Sequence, residues 1–304
     1  MVLMSYSGVR VSVWSLAISL VTAAAALAQP VPRPPEVVSR DANGHATLRA
    51  VRITTPPQID GKLDEQVYKD IQPAGDFIQQ EPLEGRPATD TTEVWVLFDD
   101  KNVYVAARMF EQDSSKRVTS DMRRDASNMY NNDHIAVLFD TFNDRRRAFI
   151  FGVNPLGVQE DGVQTEGSFN AGRMFGMNGS VDLSPDYLFE SKGVLTPQGY
   201  VVEIRIPFKS LRYPTTPGAK WGLNVLRKTQ RTGREDTWTD ARRVASFLAQ
   251  SGAMAGIGDW ITGVLEMTRP DSWASTVKET VPRPDRINAP ARDDGRKKEE
   301  ENCM

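Results

Sequence analysis

Residues 91–110 read TTEVWVLFDDKNVYVAARMF, two runs rich in β-branched and aromatic residues placed around Asp99-Asp100-Lys101-Asn102. Short Asp and Asn side chains bond their own backbone and so favour turns, while Val, Trp, Phe and Tyr fit a pleated surface. The stretch therefore predicts a β-hairpin. The design recurs at residues 132–154, NDHIAVLFDTFNDRRRAFIFGVN, with Ile135, Val137 and Phe139 alternating before a turn and Phe149 and Phe151 after it. A third copy joins YLFESKGVL to YVVEIRIPF through Thr196-Pro197-Gln198-Gly199. There Val202, Ile204 and Ile206 face one way and Glu203 and Arg205 the other.

Three hairpins with one apolar face each need a second sheet to cover them. Further strands are expected at WGLNVLRKTQR and ITGVLEM, and short helices over 63–70 and 239–250. No long segment carries helical periodicity. The expected class is all-β: an antiparallel, jelly-roll-like β-sandwich with short helices. Trp95 and Trp221 lie within strands and are expected to be packed.

Of 304 residues, 39% are hydrophobic, enough for a substantial core. The 37 basic and 40 acidic residues leave a formal charge of −3, spread over both halves, so no surface is built to neutralise phosphates and no nucleic-acid partner is expected. The longest basic run, Arg145-Arg146-Arg147, reads as a solvated hairpin tip.

Residues 11–28, VSVWSLAISLVTAAAALA, are apolar or small, follow the single charge of Arg10 and end in a small-x-small pattern. They predict a secretory signal peptide over 1–28, with an uncleaved anchor as the alternative. Residues 29–47 read as a Pro-rich linker, 48–269 as one domain, and 270–304 as a charged, disordered tail. The lone Cys303 leaves no disulfide to staple the fold, which suits the periplasm or cell surface of a Gram-negative bacterium.

A corner precedes the first hairpin: residues 59–71, IDGKLDEQVYKDI. Asp60-Gly61 is a turn pair, Asp64 and Glu65 suit the first turn of a short helix, and Tyr68 and Ile71 share one side of it, placed to plug an end of the sandwich. This corner, then VWVLFDDKNVYVAARMF, NDHIAVLFDTFNDRR, GYVVEIRIPFKSLRYP and WGLNVLRK in that order, resembles carbohydrate-binding module family 9 over residues 51–267. The version it most resembles opens large exported bacterial proteins and precedes an outer-membrane β-barrel-like domain. The resemblance implies a β-sandwich that binds sugar, often as an accessory to glycoside hydrolysis and in some members with structural calcium. It makes Tyr130 the counterpart of an aromatic platform on which sugar stacks. Two positions depart from the pattern: Tyr68 stands where a Trp is usual, and Ala136 stands where sugar-binding members carry a carboxylate.

A sugar ring offers an apolar C–H face bordered by hydroxyls, so its site needs a flat aromatic beside amides, carboxylates or guanidinium groups. Tyr130 with Asn131, Asn132 and Asp133 supplies that mixture in one loop, and Trp238 is the candidate for a second wall. The plainer alternatives are an ordinary loop aromatic and a core tryptophan. Calcium ligands are sought in the 125–133 loop and at Glu160 and Asp161, neither of which has EF-hand spacing. With His45 in the N-terminal arm and His134 in a strand, no zinc set, catalytic triad or phosphate loop can be assembled. The sequence thus predicts an exported, non-catalytic carbohydrate binder. Two alternatives stay open: an accessory part of a glycoside hydrolase, and an interaction or plug domain of an outer-membrane β-barrel system.

Overall fold

In the computed structural model the described residues are 38–41, 45–120, 122–125, 131–166, 180–216, 218–243 and 246–260. They form two sheets. The smaller runs in the order β11 (Glu190–Thr196), β12 (Gly199–Pro207), β6 (Asn102–Phe110), β5 (Thr92–Phe98), β3 (Val51–Arg52). The larger runs β1 (Val38–Arg40), β2 (Ala46–Arg49), β15 (Gly252–Ala255), β13 (Trp221–Thr229), β7 (His134–Asp140), β8 (Arg147–Val153), β9 (Gln159–Thr165), β10 (Ser180–Asp182). Beside this path, β14 (Arg234–Thr237) pairs with β13 and with β4 (Ile78–Glu81). The β-sandwich and all three hairpins stand as expected. Pairing is antiparallel except where β15 meets β2 and β3 meets β5, two parallel contacts that depart from a purely antiparallel sandwich.

The pleat sorts the side chains. Val202, Ile204 and Ile206 of β12, with Val103, Val105 and Met109 of β6, face Ile135, Val137 and Phe139 of β7 and Trp221, Leu223 and Val225 of β13 in one inter-sheet core. Phe139 meets the Trp221 ring edge-on at 6.0 Å. A cation bridges the same gap: Arg227, fully buried, donates from Nη1 to Thr91 O and Thr92 Oγ1, each at 3.0 Å, and from Nη2 to Phe110 O at 2.6 Å. The larger sheet is thereby bonded to the ends of β5 and β6 in the smaller one. Trp95 and Trp221 are both buried, as their strand positions suggested.

The corner at 59–71 covers a face where the sequence reading had it plugging an end. Tyr68, Ile59, Leu63, Val67 and Ile71 pack over Trp95, Leu97 and Tyr104 on the outer side of the smaller sheet. The Tyr68 ring stands edge-on to Trp95 at 5.7 Å, and Trp95 Nε1 donates to Ile71 O at 2.8 Å. Glu203, the outward residue of β12, is buried beneath the corner; its Oε2 accepts from Asp60 N and Gly61 N at 3.1 and 2.7 Å, and its Oε1 from Tyr68 Oη at 3.0 Å. The helix is also shorter than expected. α1 spans Gln66–Asp70, so Asp64 and Glu65 precede it, and Glu65 Oε1 accepts from Gln58 N at 2.9 Å. Over 239–250 the described helical structure is one 3₁₀ turn, Leu248–Gln250. The strand expected at 261–267, the signal peptide, the linker's first residues (29–37) and the tail lie outside the described residues.

Gly61 has two reasons to be glycine. Its φ is +84°, and a Cβ there would lie 2.2 Å from Val194 Cγ2 on β11. Gly61→Ala should therefore destabilise the protein by about 2 kcal/mol or more, read as a lower urea midpoint. Burial raises the Glu203 carboxyl from 4.5 to about 7. A raised folded pKa means that its contribution to stability is fully present below about pH 4.5 and is lost as pH rises through about 7. Urea denaturation of Glu203→Gln across this window should show a flatter pH dependence than wild type; identical slopes would contradict the assignment.

Candidate functional site

Alternation along β7, β8, β9 and β13 also decides what reaches the outer face of the larger sheet. His134, Ala136 and Leu138 point there, as do Gly152, Glu160, Gln164, Asn224 and Lys228. Register places Leu226, Ala136, Gly152 and Glu160 in one row across four strands, with Lys228 beside His134 in the next. Part of this face is apolar: Ala136, Leu138, Ala148, Ile150 and Leu226 form a cluster with Ala241, Phe247 and Leu248.

The remainder is polar and buried. Lys228 Nζ donates to Glu235 Oε1 at 2.6 Å, with both side chains almost wholly enclosed. His134 is fully buried, its Nδ1 2.9 Å from Asn132 O, and burial lowers its pKa to about 4, which leaves a neutral imidazole at neutral pH. Glu160 lies over Gly152, where a Cβ would sit 3.4 Å from its Oε2. Burial, with the nearby charges of Asp125 and Asp161, pushes the Glu160 carboxyl up to about 8, so that it is protonated at neutral pH. Both Glu160 oxygens and both amide atoms of Gln164 are buried with no hydrogen-bond partner among the described residues. Such atoms cost about 1–3 kcal/mol each when left unpaired. This face therefore carries neutral donors and acceptors in place of exposed charge.

The expected loop site is distributed differently. Asn131 is exposed and stands just before β7, whereas Tyr130 lies outside the described residues. Asn132 and Asp133 are buried and structural, a correction to their reading as ligand contacts. Asp133 Oδ2 accepts from Val118 N at 2.9 Å and its Oδ1 from Gln230 N at 2.6 Å, while Asn132 Oδ1 accepts from Ser120 N. Their oxygens thus hold neighbouring backbone and are turned away from solvent. Trp238 is corrected as well: it is fully buried in the inter-sheet core, and Gly252 clears space for its ring, since a Cβ there would meet Trp238 Cζ3 at 2.6 Å. An enclosed ring cannot wall an open sugar site.

The calcium expectation meets a cation already in place. Asp125, Asp161 and Asp186 bring carboxylate oxygens within 4.8 Å of one another. Among them lies the Arg124 guanidinium, 2.6 Å from both Asp161 and Asp186 and 3.2 Å from Asp125. These residues do not fit a calcium ion, because the guanidinium takes the oxygens that the metal would need. Glu160, the other candidate ligand, projects to the opposite face of β9 from Asp161.

Lys228, Glu235, Gln164 and Asn224 were not singled out from sequence. The signal was present as polar residues at alternate positions of otherwise apolar strands, as in WGLNVLRK, where Asn224 and Lys228 share a face with Gly222.

The family model described as "Carbohydrate family 9 binding domain-like" matches residues 59–245. Among solved structures, a carbohydrate binding module family 9 from Caldicellulosiruptor kristjanssonii in complex with glucose is similar, with 16% identity, a TM-score of 0.45, and coverage of 69% of this chain and 94% of that one. The cellotriose complex of a family 9 module from the same organism gives 16% identity, a TM-score of 0.44, and coverage of 68% and 92%. No curated protein matches the chain. With the order of its strand blocks, its sandwich and a family match over more than half its length, the chain belongs to the carbohydrate family 9 binding domain-like family.

Proposed function

We propose that this protein is an exported carbohydrate-binding domain that holds a neutral sugar without chemistry of its own. One observation carries the reading: the family 9 carbohydrate-binding model matches residues 59–245 of a chain that folds as the two-sheet sandwich described above. Family membership supports the ligand class, and Tyr130 with Asn131 at the approach to β7 supplies the ring on which a sugar C–H face stacks. The apolar N-terminal segment supports export to the periplasm or cell surface.

A second reading draws on Ala136. In place of a carboxylate, this position carries a methyl group enclosed in the cluster with Phe247 and Leu248. That favours an interaction domain of an outer-membrane β-barrel system, whose partner is a protein.

Calorimetric titration with a panel of neutral oligosaccharides separates the two. The sugar reading expects a wild-type ligand whose affinity falls about tenfold in Tyr130→Ala, the worth of one stacked ring. Because Glu160 is enclosed, its ionisation is read in stability: the urea midpoint should fall as pH rises through about 8. Glu160→Gln, which keeps a neutral donor, should remove that dependence. A wild type that binds no member of the panel would favour the protein partner.

A further inference from the structure

The larger sheet is wider than the smaller, and the inner faces of β8 and β9 extend past it. There Arg147, Phe149, Val163 and Thr165 project into a groove whose other side is chain just before β11 and just after β12. One cavity of about 770 Å³ takes in Phe149 and Tyr187, and a second of about 730 Å³ takes in Phe149 and Phe142, in the turn after β7. They share Arg147, Phe149, Thr165 and Arg212, and so form one groove. Asn131 precedes β7 whereas Phe142 follows it, which puts the groove about 20 Å from the approach to β7, at the other end of the strand.

Apolar surface converges in this groove. Phe142 is 57% exposed and Leu188 63%, and with them lie two half-buried rings, Phe149 and Tyr187, set edge-on at 5.3 Å. Single exposed apolar side chains are ordinary on a surface, but four that line one concave stretch are what a ligand site presents. The charges around them balance: four acids, among them Asp182 and Glu166, against four bases, among them Arg147 and Arg212. The groove therefore has no net sign with which to select an ion, and it offers carboxylate acceptors together with guanidinium donors. A sugar hydroxyl both donates and accepts, so it uses the two at once. A purely apolar ligand would strip water from these charges and return nothing.

We infer that this groove is a second sugar site, which takes a neutral oligosaccharide with its C–H faces on Phe142, Phe149 and Tyr187 and its hydroxyls between Arg147, Arg212 and the carboxylates of the lining. Rings that are half-buried take the apolar face of a pyranose, and two adjoining cavities of this size hold more than one such unit. The ligand class rests on the carbohydrate-binding reading of the protein; the place rests on the groove alone.

The test titrates the full chain calorimetrically with cellotetraose, xylotetraose and mannotetraose, comparing wild type, Tyr130→Ala and Phe142→Ala/Arg212→Ala. Phe142 and Arg212 are both exposed, so the fold of the double variant should survive, as a circular dichroism melt will report. At least one tetrasaccharide should bind a site whose affinity falls about tenfold or more in the double variant and is unchanged in Tyr130→Ala. If every bound tetrasaccharide is weakened by Tyr130→Ala and none by the double variant, the groove is overturned and the reading above stands. The reverse pattern supports the groove and overturns that reading. Binding of no tetrasaccharide, or binding that neither variant weakens, overturns both.

Discussion

The fold depends on the face-to-face burial of two sheets whose inner residues arrive by simple alternation. Burying a side chain the size of Val202 or Phe139 is worth about 1.5–3 kcal/mol, and these contacts form one continuous cluster, so the sandwich needs no covalent staple. Arg227 adds direction to that burial. Its guanidinium satisfies carbonyls at the ends of β5 and β6, which fixes how the larger sheet sits over the smaller. A charge can be buried there because its partners are fixed backbone oxygens.

Both sheets are also covered on their outer sides, by different means. The smaller carries the 59–71 corner, where Glu203 gathers two backbone donors and the Tyr68 hydroxyl under an aromatic lid. The larger carries an apolar patch beneath Phe247 and Leu248, and beside it buried polar side chains in two neighbouring rows, Lys228 and His134 in one and Glu160 in the other. Burial has one electrostatic effect on these groups: it lowers the basic imidazole and raises the acidic carboxyl, so both His134 and Glu160 are neutral at neutral pH.

What could be read from sequence follows from the range of the forces involved. Hairpins are local, and the positions of Val202, Ile204, Ile206 and Trp221 follow from period two alone. The role of the 59–71 corner was only half legible: the Asp60-Gly61 turn is local chemistry, but the face it covers depends on Glu203, more than 140 residues away. Trp238, Asn132 and Asp133 carry side chains suited to a sugar site and are nonetheless used inside the fold. Residue type does not reveal whether an oxygen faces solvent or a neighbouring backbone N–H. The acidic cluster was hidden for a related reason, since nothing local places Arg124 among Asp125, Asp161 and Asp186.

The central claim is that this sandwich takes a neutral sugar at the approach to β7, where Asn131 is exposed. A crystal structure of the full chain grown with a neutral oligosaccharide tests it most directly. The account predicts sugar hydroxyls within hydrogen-bond distance of the Asn131 amide and a sugar C–H face against the Tyr130 ring. A sugar bound only elsewhere on the fold, or no sugar bound, would contradict it.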